Sequence, residues 1–276
     1  MVRSLEWLAR GGASLLVVAA HPDDETIGVG ATLGPLAARG SHVRVLHVTD
    51  GAPRDPALRP TLRDLSPPQA AAARRAELER ALFAGALDTR AVLAPSLGFA
   101  DQEASLALVA IAHAVARRLA ESPPDVVITH PYEGGHPDHD AVAFAVHAAV
   151  RVLSRAPIEL VEMTSYHAAR TGSAMEAATF LEPPEPVTSH DGLLDAAART
   201  RKRAMLEAFA SQSEVLSAFA CEAEPLRSAP LYDFTRPPHG ATLYYERLPF
   251  GWTGERWRAL AAQALAELDG LSPRQS

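Results

Sequence analysis

The segment Leu15-Leu16-Val17-Val18-Ala19-Ala20-His21-Pro22-Asp23-Asp24-Glu25 decides how this chain folds. Six apolar residues in a row, without polar alternation, make a strand buried on both faces, and such strands belong to parallel sheets covered by helices. The run stops at a proline followed by three acids, none of which suits a strand interior. The acidic cluster therefore opens the loop at the carboxyl end of the strand. Helix-like sequence over residues 26–39 comes next and stops before Gly40.

The alternation continues outward from there. Residues 43–48 read as a strand, 67–85 as an Ala- and Arg-rich amphipathic helix, 91–93 as a short third strand and 106–120 as a helix. Residues 125–129 are a fourth strand behind Pro123-Pro124, 139–153 a helix and 158–163 another strand. Strands alternating with helices give βαβ units with right-handed crossovers. The expected fold class is α/β: Rossmann-like, with a mostly parallel sheet and helices on both faces.

The second half is less regular. Residues 179–190 carry Pro183, Pro184 and Pro186 and read as a loop, and 193–219 as a helix broken near Ser211. Residues 225–240 are irregular, 241–247 alternate like an edge strand, and 255–268 form a closing helix. Without an internal repeat or a clear linker, residues 1–276 are expected to make a single domain, with its core at about 14–155 and a C-terminal extension at about 160–276. The long aperiodic segment 49–66, with Pro53, Pro56, Pro60 and three arginines, follows a strand and belongs at the ligand-binding edge of the sheet.

Composition narrows the function classes. Of 276 residues, 47% are hydrophobic and 21% charged, which excludes wholesale disorder. A net charge of −7 argues against a nucleic-acid partner, which requires a concentrated positive face. The one cysteine, Cys221, excludes an internal disulfide and a Cys-based zinc cluster. No apolar run approaches the roughly 18 residues that span a bilayer. Arg3 and Arg10 before the run 13–20 imitate a signal peptide, but the run is short and leads straight into the acids. A cytoplasmic protein is expected.

Three strand ends carry chemistry: His21-Pro22-Asp23-Asp24-Glu25, Gly98 to Asp101, and Gly135-His136-Pro137-Asp138-His139. In a parallel sheet all three open at one edge, which brings two His-Pro-Asp segments together. Imidazole nitrogens and carboxylate oxygens suit a borderline divalent metal, and two histidines with one carboxylate leave an open position, as catalytic sites do. A second carboxylate beside the metal is then available as general base. The acids would repel one another without a cation.

AHPDDE after a first strand and HPDH after a later one, in this order, resemble the PIG-L / LmbE family of zinc-dependent deacetylases of N-acetylglucosaminyl conjugates. The resemblance extends to Thr49-Asp50-Gly51, to Arg74-Arg75-Ala76-Glu77 and to the LGFAD segment, and covers about residues 14–155. It implies zinc ligands at His21, Asp24 and His139, a general base at Asp23, and a charged His136 that stabilises the oxyanion or protonates the leaving amine. It further implies that Asp138 orients His136, that Asp101 contacts a sugar hydroxyl, and that Arg74 or Arg75 binds substrate. Tyr132, four residues before His136, corresponds to a tyrosine that members carry just before the second motif, here with Gly134-Gly135 between. The implied cofactor is Zn2+, with Fe2+ as the alternative, and the implied partner a small-molecule glycoconjugate. Specificity for the rest of the conjugate is expected from residues 51–66 and from those after 160.

Other readings compete. His130 ends a strand and is either a further ligand or a histidine supporting the ligands. Glu25 and Asp140 suit helix starts. His42, His47, His113 and His147 lie on regular elements and read as structural or exposed. Gly28, Gly30 and Gly34 imitate a dinucleotide fingerprint, but the spacing is one residue too long and carboxylates stand where a pyrophosphate would sit; close helix packing explains them better. A facial triad of His21, Asp23 and His139 would suit an iron oxygenase, but those are β-barrels. An amidase acting on a non-sugar amide and a non-catalytic sugar-binding protein complete the alternatives.

Overall fold

A computed structural model of the chain describes residues 5–153, 157–169 and 174–271; Arg3 lies outside them. Its strands are β1 (Ser14–Ala19), β2 (His42–His47), β3 (Val126–Thr129), β4 (Glu159–Met163), β5 (Tyr166–Ala168), β6 (Met175–Ala177), β7 (Ser189–His190) and β8 (Leu226–Ser228). Its helices are α1 (Trp7–Arg10), α2 (Asp24–Ala38), α3 (Pro67–Ala84), α4 (Thr89–Val92), α5 (Leu108–Glu121), α6 (Pro137–Ala148), α7 (Ala196–Glu207), α8 (Ser213–Leu216) and α9 (Gly254–Leu271).

The central sheet has the order β2-β1-β3-β4-β8-β7. The first four strands are parallel, with Leu16 opposite both Arg44 and Val127. β8 runs antiparallel to β4, and β7 antiparallel to β8. Alternate residues of β1 serve opposite cores. Leu15 and Val17 pack with Leu33 of α2, Leu78 of α3 and Met205 of α7. Leu16 and Val18 pack with Ile111 of α5, Phe144 of α6 and Trp257 of α9. Each buried Leu or Val side chain contributes about 1.5–3 kcal/mol, so this one strand anchors both helical layers.

Connectivity places the site. From β1 the chain passes to β2 on one side and later returns to β3 on the other. The loops leaving the carboxyl ends of β1 and β3 therefore diverge and open a crevice, the place where open α/β sheets bind ligands. Both His-Pro-Asp segments leave from these two strands.

α2, which begins at Asp24, is clamped by α7. Pro35 lacks an N–H and leaves the carbonyl of Ala31 free; Arg201 Nη2 donates to it at 3.1 Å. Lys202 Nζ donates to Ile27 O at 2.6 Å and pairs with Glu224, which accepts from the N–H groups of Ala31 and Thr32. The α2 glycines serve packing, as expected: a Cβ on Gly28 would meet Met163, and one on Gly34 would lie 2.2 Å from the carbonyl oxygen of Gly85. Gly34→Ala should therefore overpack the α2–α3 contact and cost about 1–3 kcal/mol, seen as a lower thermal midpoint; an unchanged midpoint would contradict this packing.

Several local expectations are corrected. The third strand over 91–93 does not form. Asp88 accepts from Arg90 N–H and starts the short turn α4, and only single bridges, Val45 to Leu93 and Thr49 to Phe99, follow β2. The edge strand over 241–247 is also absent. Residues 244–247 form a 3-10 turn because Glu246 accepts from the N–H groups of Leu243 and Gly254, a local alternative to a ladder. Conversely, β7 and β8 arise in stretches expected to be irregular. Arg227 of β8 is held in the sheet by Glu162 of β4 at 2.7 Å and by Glu133 at 3.0 Å.

The segment after β2 is a fixed wall. Arg59 is buried and donates to the carbonyls of Pro53, Leu62, Arg63 and Leu65 at 2.6–3.3 Å. Gly51 has φ +65°, and a Cβ there would stand 2.7 Å from Pro22 Cδ; the turn that carries this wall past the first motif requires glycine.

Candidate active site

The loop after β1 turns at once into α2, so that Asp24 and Glu25 occupy its first turn, where the helix dipole favours carboxylates. Glu25 points away from the crevice and pairs with His47 of β2 at 2.8 Å. After β3, His136 is the N-cap of α6, with Pro137 at the first helical position. The segment bridged alongside β2 delivers Asp101 and Gln102. Together these bring His21, Asp23, Asp24, Asp101, His136, Asp138 and His139 into one cluster, each less than a tenth exposed. Six of the seven line a cavity of about 290 Å³; Asp138 is buried beneath it.

His21 lies at the centre of the cluster. Its Nδ1 is 3.2 Å from Asp24 Oδ2; its Nε2 is 3.3 Å from Asp101 Oδ1 and 3.2 Å from Asp138 Oδ2. Burial disfavours charge on His21, yet Asp101, Asp138 and Asp24 hold its imidazole well above the ordinary value. Three buried carboxylates around one ring favour a positive charge there, which a cation held by these groups would equally supply. Asp24 is held well below the usual carboxylate range, because the imidazoles of His139 and His130 against its oxygens outweigh burial. His139 Nε2 stands 3.2 Å from Asp24 Oδ1, while Ser165 Oγ lies 3.2 Å from its Nδ1. An imidazole fixed through one nitrogen, with the other facing a buried carboxylate, is arranged as metal ligands are.

Among the described residues, His21, His136 and His139 present donor atoms within 4.8 Å of one another, as do Asp24, His130 and His139. Hydrogen bonds select among them. His130 Nε2 accepts from Ala20 N–H at 3.0 Å, and its ring stacks on His139 at 4.1 Å. It supports the cluster and has no lone pair to spare. His136 Nδ1 accepts from Asp138 N–H at 3.1 Å. Its proton is therefore on Nε2, 2.9 Å from the side-chain amide of Gln102, which must turn its oxygen to that N–H. His21, Asp24 and His139 remain as candidate donors, a set of two imidazoles and one carboxylate that fits a divalent borderline cation.

Asp23 lies beside this set. Its Oδ2 receives Arg74 Nη2 at 2.8 Å, and the same nitrogen donates to Pro22 O at 2.7 Å. Burial pushes the Asp23 carboxyl up to about 6, Arg74 pulls it down, and Asp24 raises it. Of the two arginines left open by the sequence, only Arg74 reaches the site. Arg75 is exposed and pairs with Glu79 one turn on.

Three further expectations are corrected. Tyr132 is not brought to the site; it is 2% exposed, stacks on Trp257 at 5.1 Å and donates to Arg236 O. The two glycines after it let the chain turn away before His136. The Asp138 carboxylate does not orient the His136 ring, which only the Asp138 N–H reaches; the carboxylate faces His21 and accepts from the N–H groups of Gln102 and Ala104. Against the charge expected on His136, burial and the neighbouring His21 lower it to about 3, which favours the neutral ring. Gln102, Ser165 and Tyr166 were missed, because no motif marks a residue that supports a site only through tertiary contact.

Residues 16–150 match the profile of the family described as PIG-L: GlcNAc-PI de-N-acetylase. Over these residues the chain is similar to the PIG-L family. Proteins named 1D-myo-inositol 2-acetamido-2-deoxy-alpha-D-glucopyranoside deacetylase are similar to it: 32% identity over 143 residues in Thermobifida fusca and 35% over 159 residues in Segniliparus rotundus. These alignments cover 45% and 50% of this chain, and 50% of each relative. The chain thus spans about half the length of the curated relatives it matches. Among solved structures, the antimicrobial A40926 pseudoaglycone deacetylase is 26% identical with a TM-score of 0.57, covering 75% of this chain and 85% of that one. N,N'-diacetylchitobiose deacetylase from Pyrococcus horikoshii shares the fold at 18% identity and TM-score 0.55, covering 83% and 87%. Outside the matched residues, β4, β8 and β7 complete the sheet and α9 the core on which the cluster rests. No described helix is long and apolar enough to cross a membrane.

Proposed function

We propose that this protein is a metal-dependent hydrolase that removes the acetyl group from an N-acetylated amino-sugar conjugate, releasing acetate and a free amine. The observation that carries this reading is the placement of His21, Asp24 and His139 beside the Arg74-held carboxylate of Asp23 in one cavity of a chain similar to the PIG-L family. The names of the relatives support the amino-sugar class. A small glycoconjugate handled in the cytoplasm is the corresponding substrate.

His21, Asp24 and His139 would hold the metal, for which Zn2+ is the proposal and Fe2+ the alternative. Such an ion, when bound, polarises an amide carbonyl and lowers the pKa of water to roughly 7. The rest of the chemistry falls to the chain. Asp23 takes a proton from the attacking water as its oxygen bonds to the acetyl carbon. His136, neutral and with its proton on Nε2, donates a hydrogen bond to the oxygen on which charge develops. Gln102 fixes that ring from the far side of the same N–H until substrate competes for it. The C–N bond then breaks as Asp23 returns its proton to the departing nitrogen, and the acetic acid so formed gives its remaining proton to the amine or to solvent, leaving acetate. Asp101 is placed to accept from a sugar hydroxyl.

Acetate release from a panel of N-acetylglucosamine conjugates, with zinc-loaded protein and a chelated control, tests this reading. Metal-dependent release is expected; no release from zinc-loaded protein would refute it. The two arginines give a second test. Arg74→Ala removes the partner of a buried carboxylate and should lower kcat/KM about 10- to 100-fold, whereas Arg75→Ala should leave it within twofold. Equal effects would contradict the placement of Arg74 at Asp23.

A further inference from the structure

The cavity has two unlike halves. Its floor is the polar cluster. Tyr166 and Tyr244 stand at its side, with Tyr166 5.3 Å from the His139 ring and Tyr244 5.8 Å from Tyr166. The outer wall is apolar: Leu58 and Leu62 from the segment after β2, Val215 and Leu216 of α8, Phe219 beyond it, and Phe250, whose ring is 5.1 Å from His136. The polar residues of this wall are turned to its own backbone. Arg59 donates to carbonyls of its own segment, and Gln212 Nε2 donates to Ser211 O.

The wall is tied in place from three directions. Ser211 donates through N–H and Oγ to Glu77 of α3, at 2.8 and 2.6 Å, and Thr61 Oγ1 donates to Ser211 O at 2.7 Å. The segment after β2, α3 and the segment bearing α8 thus hold one another, and the apolar side chains face the cavity as a built surface. Val215 nevertheless remains 56% exposed, an uncovered aliphatic group at the mouth of a polar site.

We propose that the substrate carries an apolar group that packs against this wall beyond the N-acetyl sugar. The proposal rests on the deacetylase reading and narrows it. A polyol in that position would lose water from hydroxyls and find few partners in return, whereas alkyl or aryl surface gains from burial. The same chemistry reaches the wall from the anomeric side of the sugar or from a lengthened acyl chain.

The test compares kcat/KM of the zinc-loaded full chain on the methyl and octyl glycosides of N-acetylglucosamine, on N-acetylglucosaminyl inositol, and on methyl N-octanoylglucosaminide. Each buried methylene is worth about fourfold, so the octyl glycoside or the octanoyl amide should exceed the methyl N-acetyl compound at least tenfold; which of the two does so tells the anomeric source from the acyl source. Val215→Asp should reduce that ratio at least fivefold. Calorimetry with the methyl and octyl glycosides of glucosamine reads the wall without turnover. Tighter octyl binding with a negative heat-capacity change is expected. Equal rates for methyl, octyl and octanoyl compounds, or preference for the inositol conjugate, would overturn the apolar wall and leave deacetylation standing. Octyl-selective binding without release from any conjugate would overturn deacetylation and support the wall; equal binding would overturn the wall in either case.

Discussion

Asp23→Asn is expected to lower kcat for acetate release by roughly 10²–10⁴-fold while the protein keeps its metal, because a positioned general base contributes about that much. Asn has nearly the volume of Asp, so the packing around Pro22 and Arg74 is preserved. What is lost is the ability to take a proton, together with the charge that Arg74 faces at 2.8 Å. Metal content measured by mass spectrometry should match the parent, since Asp23 is not among the three candidate donors. KM should change less than kcat. Parent-like turnover would remove Asp23 as the base. Loss of metal along with activity would make it a ligand, as in the His21, Asp23 and His139 triad.

His139→Ala should remove both metal and activity. This ring has one nitrogen against Ser165 and the other 3.2 Å from Asp24, and its deletion leaves two candidate donors in a buried, acidic pocket. Loss of Lewis-acid stabilisation removes several kcal/mol, which is about 10³-fold or more in rate, each 1.36 kcal/mol being tenfold. A readout independent of turnover accompanies it. Zinc should raise the thermal midpoint of the parent, because a ligand that binds only the folded state stabilises it, and should do so far less in the variant. A variant that binds zinc as the parent does would show that His139 is not a ligand and would turn attention to His136.

How much of this was legible in the sequence varies from element to element. Residues 15–20 announced a doubly buried strand, and the strands and helices read between residues 14 and 163 recur in the structure within a few residues of their bounds, apart from 91–93. Long runs with a clear period are governed by burial, which is inscribed locally. The failures are short. Three residues at 91–93 and seven at 241–247 carried too little pattern to outweigh capping by Asp88 and Glu246. β8 was invisible because its central residue is an arginine, and tertiary partners, chiefly Glu162 and Glu133, distant in sequence, make that arginine an interior residue.

The site divides in the same way. Residue types and their order determined that two histidines and a carboxylate, with a second carboxylate beside them, would meet at the carboxyl edge of a parallel sheet, because strand direction fixes which loops share an edge. Sequence alone left open Arg74 or Arg75, the place of Tyr132 and the partners of His136. Helix phase decided the first, since residues one apart on α3 point about 100° apart and only one can face the crevice. The turn at Gly134-Gly135 decided the second. The third required the fold: Asp138 lies two residues from His136 along the chain, yet the first turn of α6 directs its carboxylate to His21, so that the imidazole is held by the Asp138 N–H on one side and Gln102 on the other. Adjacency in sequence fixes which groups are present at a site; the direction each side chain takes is set by the elements that pack around it.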